Sequence, residues 1–150
     1  MKQIFADTFY WIASINPEDD WHSRARAFTA TLDQVQVVTT DEVLTEVLTF
    51  FAGRGEQMRH RAVQLVKGVM NNPKILVLEQ TRDSFLTGVQ LYESRLDKEY
   101  RLSDCISTNT MRQFSMTEVL THDKHFTQEG FVILLSDTTE ICGNPVITNY

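Results

Sequence analysis

Cysteine is scarce in this chain of 150 residues. Cys105 and Cys142 stand far apart and match no metal-ligand spacing. A disulfide-dense scaffold and a cysteine zinc site are thereby excluded, and a reduced, cytoplasmic protein is the expectation. Proline (3) and glycine (6) are also few, and no low-complexity tract, repeat or domain boundary interrupts the pattern. No apolar run approaches the length of a membrane span, and the start at Met1-Lys2 does not resemble a secretory signal, so no membrane partner is expected. Basic residues are outnumbered, 14 to 20, for a formal net charge of -6. That argues against binding nucleic acid with the whole surface but leaves room for a local basic patch beside an acidic metal centre.

What is present is a globular composition, 42% hydrophobic and 23% charged, on a length that suits one domain with a sizeable core. Short apolar stretches alternate with helical periodicity. Residues 2–6 (KQIFA), 35–39 (VQVVT), 75–79 (ILVLE), 118–121 (EVLT) and 131–135 (FVILL) read as strands. Between them, helices are predicted from Thr8, from Pro17 with Asn16 as N-cap, from Thr40 or Asp41 to about Phe51, over 56–70, 81–96 and 103–114, and briefly over 123–128. Apolar stripes run through Trp21, Ala25, Phe28 and Leu32, through Met58, Ala62, Leu65 and Val69, and through Phe85, Val89, Tyr92 and Leu96. The alternation implies an α/β fold, a three-layer α/β/α sandwich around a mainly parallel sheet of about five short strands. Residues 1–135 are the expected domain and 136–150 a C-terminal tail.

Open α/β sheets bind ligands beyond the carboxyl ends of their strands. Asp7 follows the first strand and Asp123 the fourth, while Glu46 borders an apolar helical stripe and Asp104 opens a helix facing inward through Ser107, Thr108 and Met111. Singly, each has an ordinary explanation: Asp7 and Asp123 as N-caps, Glu46 as a solvated helix residue, Asp104 as a first-turn acid. Together they match a pocket for a hard divalent cation, which takes oxygen ligands and offsets the repulsion of clustered carboxylates.

Four segments carry a resemblance to a known family: IFADTFYW (4–11), TTDEVLTEVLTF (39–50), DKEYRLSDCIS (97–107) and VLTHDKHFTQEGF (119–131). In this order and spacing they resemble the PIN-domain family, closely its VapC-like ribonucleases, over roughly residues 3–134. The resemblance implies a Mg²⁺- or Mn²⁺-dependent endoribonuclease that hydrolyses RNA by metal-activated water. It implies Asp7, Asp104 and Asp123 as metal ligands, with Glu46 a ligand or the group orienting the attacking water, and Thr8 and Thr121 bonded to the carboxylates. Thr121 is equally readable as an ordinary strand threonine. The resemblance further implies a homodimer and a small antitoxin partner. One departure is the polar TNTM (108–111), where relatives continue with an aromatic or aliphatic run.

Arg54, Arg59, His60, Arg61 and Lys67 form a basic cluster readable as a phosphate contact or as a solvated helix face. Lys124 and His125 adjoin Asp123 and fit substrate phosphate, although His125 equally fits packing beside Phe126. Two other classes stand beside the nuclease. One is a catalytically idle PIN module binding RNA or protein. The other is an aspartyl phosphotransferase, which would need an acid two residues after Asp7, where Phe9 stands.

Overall fold

The structure, a computed structural model, describes residues 1–136. Its elements run β1 (Lys2–Ala6), α1 (Thr8–Ile15), α2 (His22–Thr29), β2 (Val35–Thr40), α3 (Asp41–Phe51) and α4 (Glu56–Asn71). Then follow β3 (Ile75–Leu78), α5 (Arg82–Ser94), α6 (Leu102–Gln113), β4 (Glu118–Leu120), α7 (His125–Gln128) and β5 (Val132–Ile133). The strands form one parallel sheet ordered β3-β2-β1-β4-β5, and helices cover it to give the three-layer α/β/α sandwich expected from the sequence.

The order explains where a site belongs. The chain steps outward from β1 to β2 and β3, then returns to place β4 on the opposite side of β1. Connections leaving β1 and β4 therefore diverge and open a crevice at the carboxyl ends of these two strands, the place where doubly wound sheets bind ligands. Phe5 and Ala6 pair with Val119 and Leu120, and the Asp7 N–H donates to the Leu120 carbonyl at 3.2 Å, so the two strand ends are level.

The central strands are buried through their last residues because helices cover both faces: Phe5, Ala6, Val38, Thr39, Val119 and Leu120 are all fully enclosed. α3 follows β2 without a loop, and the Thr40 hydroxyl accepts from the Val43 N–H at 3.2 Å as its N-cap.

Two local expectations are corrected, and a third element gains a direction. The helix predicted from Pro17 begins only at His22. Asn16 Oδ1 instead accepts from the Glu18 N–H at 3.2 Å and Asp19 Oδ1 from the Trp21 N–H at 2.8 Å, so these side chains build turns. The last strand shrinks to Val132–Ile133, entered from Gly130 at φ 91°. The stripe on α5 faces outward: Phe85, Val89, Tyr92 and Leu96 are exposed, and the helix packs through Gly88. A Cβ on Gly88 would lie 2.6 Å from Ile106 Cγ1, so glycine sets the close approach of α5 to α6. The predicted tail lies outside the described residues apart from Ser136, whose carbonyl accepts from the Arg24 guanidinium at 3.2 Å.

Candidate metal centre

Asp7 occupies the N-cap position of α1, yet its side chain makes no capping hydrogen bond. Its Oδ2 accepts from the Thr121 hydroxyl at 3.1 Å, and the Thr121 oxygen in turn accepts from the Asp123 N–H at 3.1 Å. One fully buried threonine thus joins the ends of β1 and β4. Asp123 is not the N-cap of α7, a position that Lys124 holds without a side-chain bond; its Oδ1 accepts from the His125 N–H at 2.9 Å in a turn before the helix. Asp104, in the first turn of α6, accepts the Arg101 N–H at 2.9 Å. Glu46 on α3 is half-buried and accepts from the Thr8 hydroxyl at 2.5 Å and the Ser103 hydroxyl at 2.6 Å. It thereby spans the first turns of α1 and α6.

The electrostatics show how closely these acids crowd. Burial, then the Asp104 charge, pushes the Asp7 carboxyl up to about 8, with Glu46 adding to the rise. Asp104 is also raised, first by burial and then by Asp123 and Glu46, against the lowering hydrogen bond from Arg101. Ligand atoms of Asp104, Asp123 and His125 lie within 4.8 Å of one another. The buried Nδ1 of His125 has no hydrogen-bond partner. Desolvated carboxylates with an unsatisfied ring nitrogen among them fit a divalent cation, whose charge would restore ionisation of the acids. Cys105 contributes no thiolate, since burial and then the Asp104 charge push it up to about 11.

Among the described residues, the structure thus brings Asp104, Asp123 and His125 within reach of one ion, while Asp7 and Glu46 stand outside that distance but near enough for their charges to be felt: Asp104 and Glu46 raise Asp7, and Glu46 raises Asp104. The remaining substrate candidates sit differently. Arg54 Nε donates to the Phe50 carbonyl at 3.0 Å and Arg59 to the Ala52 carbonyl at 2.9 Å, at the carboxyl end of α3. Arg61 donates to the Ile15 carbonyl at 3.4 Å, at the carboxyl end of α1. All three neutralise helix C-termini. Ala52 is about 9 Å along α3 from Glu46 at helical rise. Lys124 is exposed beside the crevice. Phe126, not His125, enters the core.

Three features escaped the sequence reading. Ser103 holds Glu46, and its position before Asp104 was the only available signal. Glu129, with a side chain 4% exposed, accepts from Arg95, Arg112 and Tyr100, which ties α7 to α6 and to the loop before it. Finally, Arg24 lies 4.2 Å over Trp21, which stacks on His122 at 4.8 Å, itself 4.7 Å from Phe9. That pile anchors the loop before α2 beside the crevice.

No family model matches the chain, and no curated protein matches it. Solved structures do. The chain is similar to the Mycobacterium tuberculosis sarcin-ricin loop cleaving toxin VapC20, with a TM-score of 0.77 and 27% identity, covering 86% of this chain and 96% of that one. It shares its fold with FitAcB from Neisseria gonorrhoeae (TM-score 0.61, 18% identity, 87% and 96% covered). It also shares it with FitAB bound to an IR36 DNA fragment (TM-score 0.63, 18% identity, 87% and 93% covered). The fold is the three-layer α/β/α sandwich of PIN-like proteins, with its crevice at the ends of β1 and β4. Among these neighbours the chain is most similar in structure and sequence to the VapC20 toxin, in keeping with the resemblance its sequence motifs carry.

Proposed function

We propose that this protein is a divalent-metal-dependent endoribonuclease of the PIN type. The observation that carries the proposal is the convergence of Asp7, Glu46, Asp104 and Asp123 on the crevice between β1 and β4, with burial and mutual repulsion raising Asp7 and Asp104. The similarity to a VapC toxin supports a nuclease and a role as the toxin of a toxin-antitoxin pair; a cytoplasmic location is part of this proposal.

Asp7, Asp104 and Asp123 would hold Mg²⁺ or Mn²⁺, with Glu46 at its edge. When bound, such an ion activates water and stabilises charge on a phosphodiester. The chain's own groups do the rest. The Thr121 hydroxyl orients Asp7 and the Asp123 backbone together, as groups behind metal ligands do. Glu46, whose two oxygens accept the Thr8 and Ser103 hydroxyls, would either join the ligands or orient the attacking water. Lys124, exposed beside Asp123, supplies a cation for substrate phosphate. Unpaired, looped RNA is the substrate class, since its backbone and bases are accessible to a protein.

Protein partners also belong to this reading. Phe85, Leu86, Val89 and Tyr92 form an exposed apolar face on α5, which supports a homodimer, and a small antitoxin completes the pair. Among the described residues, no helix is long and apolar enough to cross a membrane. The experiment is cleavage of a panel of looped and unstructured RNAs by pure protein with Mn²⁺ or Mg²⁺. Cleavage that stops on chelation supports the proposal; intact RNA throughout the panel leaves only a binding module.

A further inference from the structure

We propose that His125 is a nitrogen ligand of the cation bound in this crevice, and that it makes the site prefer Mn²⁺ over Mg²⁺. The inference rests on the metal reading above and adds to it a donor outside the four acids.

The geometry is specific. His125 Nδ1 lies 3.3 Å from Asp123 Oδ1 and 3.7 Å from Asp104 Oδ2, yet it forms no hydrogen bond with either and is buried from solvent. A ring nitrogen between two carboxylates can pair with them as an imidazolium or share a cation with them, and the absence of a hydrogen bond to either favours the shared cation. Donor atoms around a single ion with bonds of ~2.1 Å are separated by ~3 Å when adjacent and ~4.2 Å when opposite. The Asp123 oxygen at 3.3 Å is near the adjacent spacing, and the Asp104 oxygen at 3.7 Å would close by a few tenths of an ångström to reach it.

The ring is also held in place. Its own backbone N–H donates to Asp123 Oδ1 at 2.9 Å, so the turn that presents Asp123 presents the imidazole too. The Tyr100 ring packs against it, with centroids 5.3 Å apart. Tyr100 in turn donates its hydroxyl to Glu129 at 2.8 Å, and Glu129 is clamped by Arg95 and Arg112. The clamp therefore reaches the crevice through Tyr100 and fixes the nitrogen's direction, as a positioned metal ligand requires.

Ligand chemistry then sets the metal. Mg²⁺ is best served by oxygen and retains its waters, whereas imidazole suits transition ions. A mixed set of carboxylates and one imidazole keeps oxygen donors for Mn²⁺ and adds a nitrogen from which Mg²⁺ gains little.

Mn²⁺ and Mg²⁺ binding to the full chain, measured by calorimetry, together with pulsed electron paramagnetic resonance of bound Mn²⁺, tests this without any activity assay. The variants are His125→Phe, which keeps a ring against Tyr100, His125→Gln, which keeps a polar side chain, and Asp104→Asn. The wild-type protein should bind Mn²⁺ more tightly than Mg²⁺ and show modulation from a directly bound ¹⁴N nucleus. Both His125 variants should lose that modulation and about tenfold or more in Mn²⁺ affinity, with Mg²⁺ affinity changed less than about threefold. Mg²⁺ binding also reports that each variant is folded. If wild-type Mn²⁺ shows no ¹⁴N modulation, or the His125 variants bind Mn²⁺ as tightly as wild type while Asp104→Asn does not, His125 is no ligand and the acidic site stands. If the wild type binds neither ion, the inference and the metal reading fall together.

Discussion

The Thr121 hydroxyl donates to Asp7 Oδ2 at 3.1 Å across the seam between β1 and β4, joining residues 114 positions apart in the chain. Because the same oxygen accepts the Asp123 N–H, this threonine couples two of the four acids. Thr121→Val preserves shape and strand preference but removes both bonds. It should cost ~1–2 kcal/mol of stability, as expected for a buried group left unpaired. It should also weaken divalent-metal affinity about tenfold. Chemical denaturation and metal titration read the two effects separately; unchanged affinity would reduce Thr121 to an ordinary strand residue.

Asp7 makes the metal-free protein pH-sensitive. Its folded carboxyl lies at about 8 against 3.8 for the free group. The folded state thus favours the protonated form, and this contribution is fully present below pH ~4 and lost as pH rises to ~8. In chelator, Asp7→Asn should match the wild type near pH 4 and melt more than about 2 °C higher at pH 8. Saturating metal should erase the advantage by stabilising the wild type. A variant less stable at pH 8 in chelator would show that the carboxylate is not strained by burial.

Glu129 titrates in the opposite sense. Hydrogen bonds from Arg95, Arg112 and Tyr100, led by Arg95, hold its carboxyl down at about 2. Its contribution is present above the ordinary carboxylate range and disappears as pH falls toward ~2. Glu129→Ala should cost about 2 kcal/mol, below the 3–5 kcal/mol typical of a broken buried pair because Arg95 and Arg112 remain partly solvated. Denaturant titration at pH 7 and pH 3 should show the penalty shrinking with acid.

How far the sequence carried the structure depended on whether the signal was local. An apolar run ending in an acid marks a strand leaving the sheet, so Asp7 and Asp123 were legible, and Thr40 before an amphipathic run marked α3. Local signals misled at 16–21, where Asn16, Pro17 and two acids look like a helix start but spend their side chains on turns. The α5 periodicity was readable, but the direction it faces depended on Ile106, a contact from another helix, and on the absence of a Cβ at Gly88. Ser103 and Glu129 act only through partners distant in sequence, 57 and 34 residues away for Glu46 and Arg95, and no spacing rule announces them.

The exposed face of α5 yields a prediction about assembly. Val89→Glu combined with Tyr92→Glu changes exposed positions, so monomer stability should shift by less than ~0.5 kcal/mol per site. Light scattering should give a dimer mass for the wild type and a monomer mass for the double variant. A wild-type monomer at high micromolar concentration contradicts the homodimer.

The central claim is that the acids gathered between β1 and β4 cleave RNA with a bound cation. The most direct measurement is the cleavage rate of a looped RNA against Mn²⁺ concentration for wild type, Asp104→Asn and Glu46→Gln, prepared identically. The wild type should cleave and stop on chelation, and Asp104→Asn should be inactive at every concentration. Glu46→Gln should bind metal yet keep a rate deficit that saturating Mn²⁺ does not restore. Equal cleavage by all three proteins, or cleavage indifferent to chelation, would contradict the account.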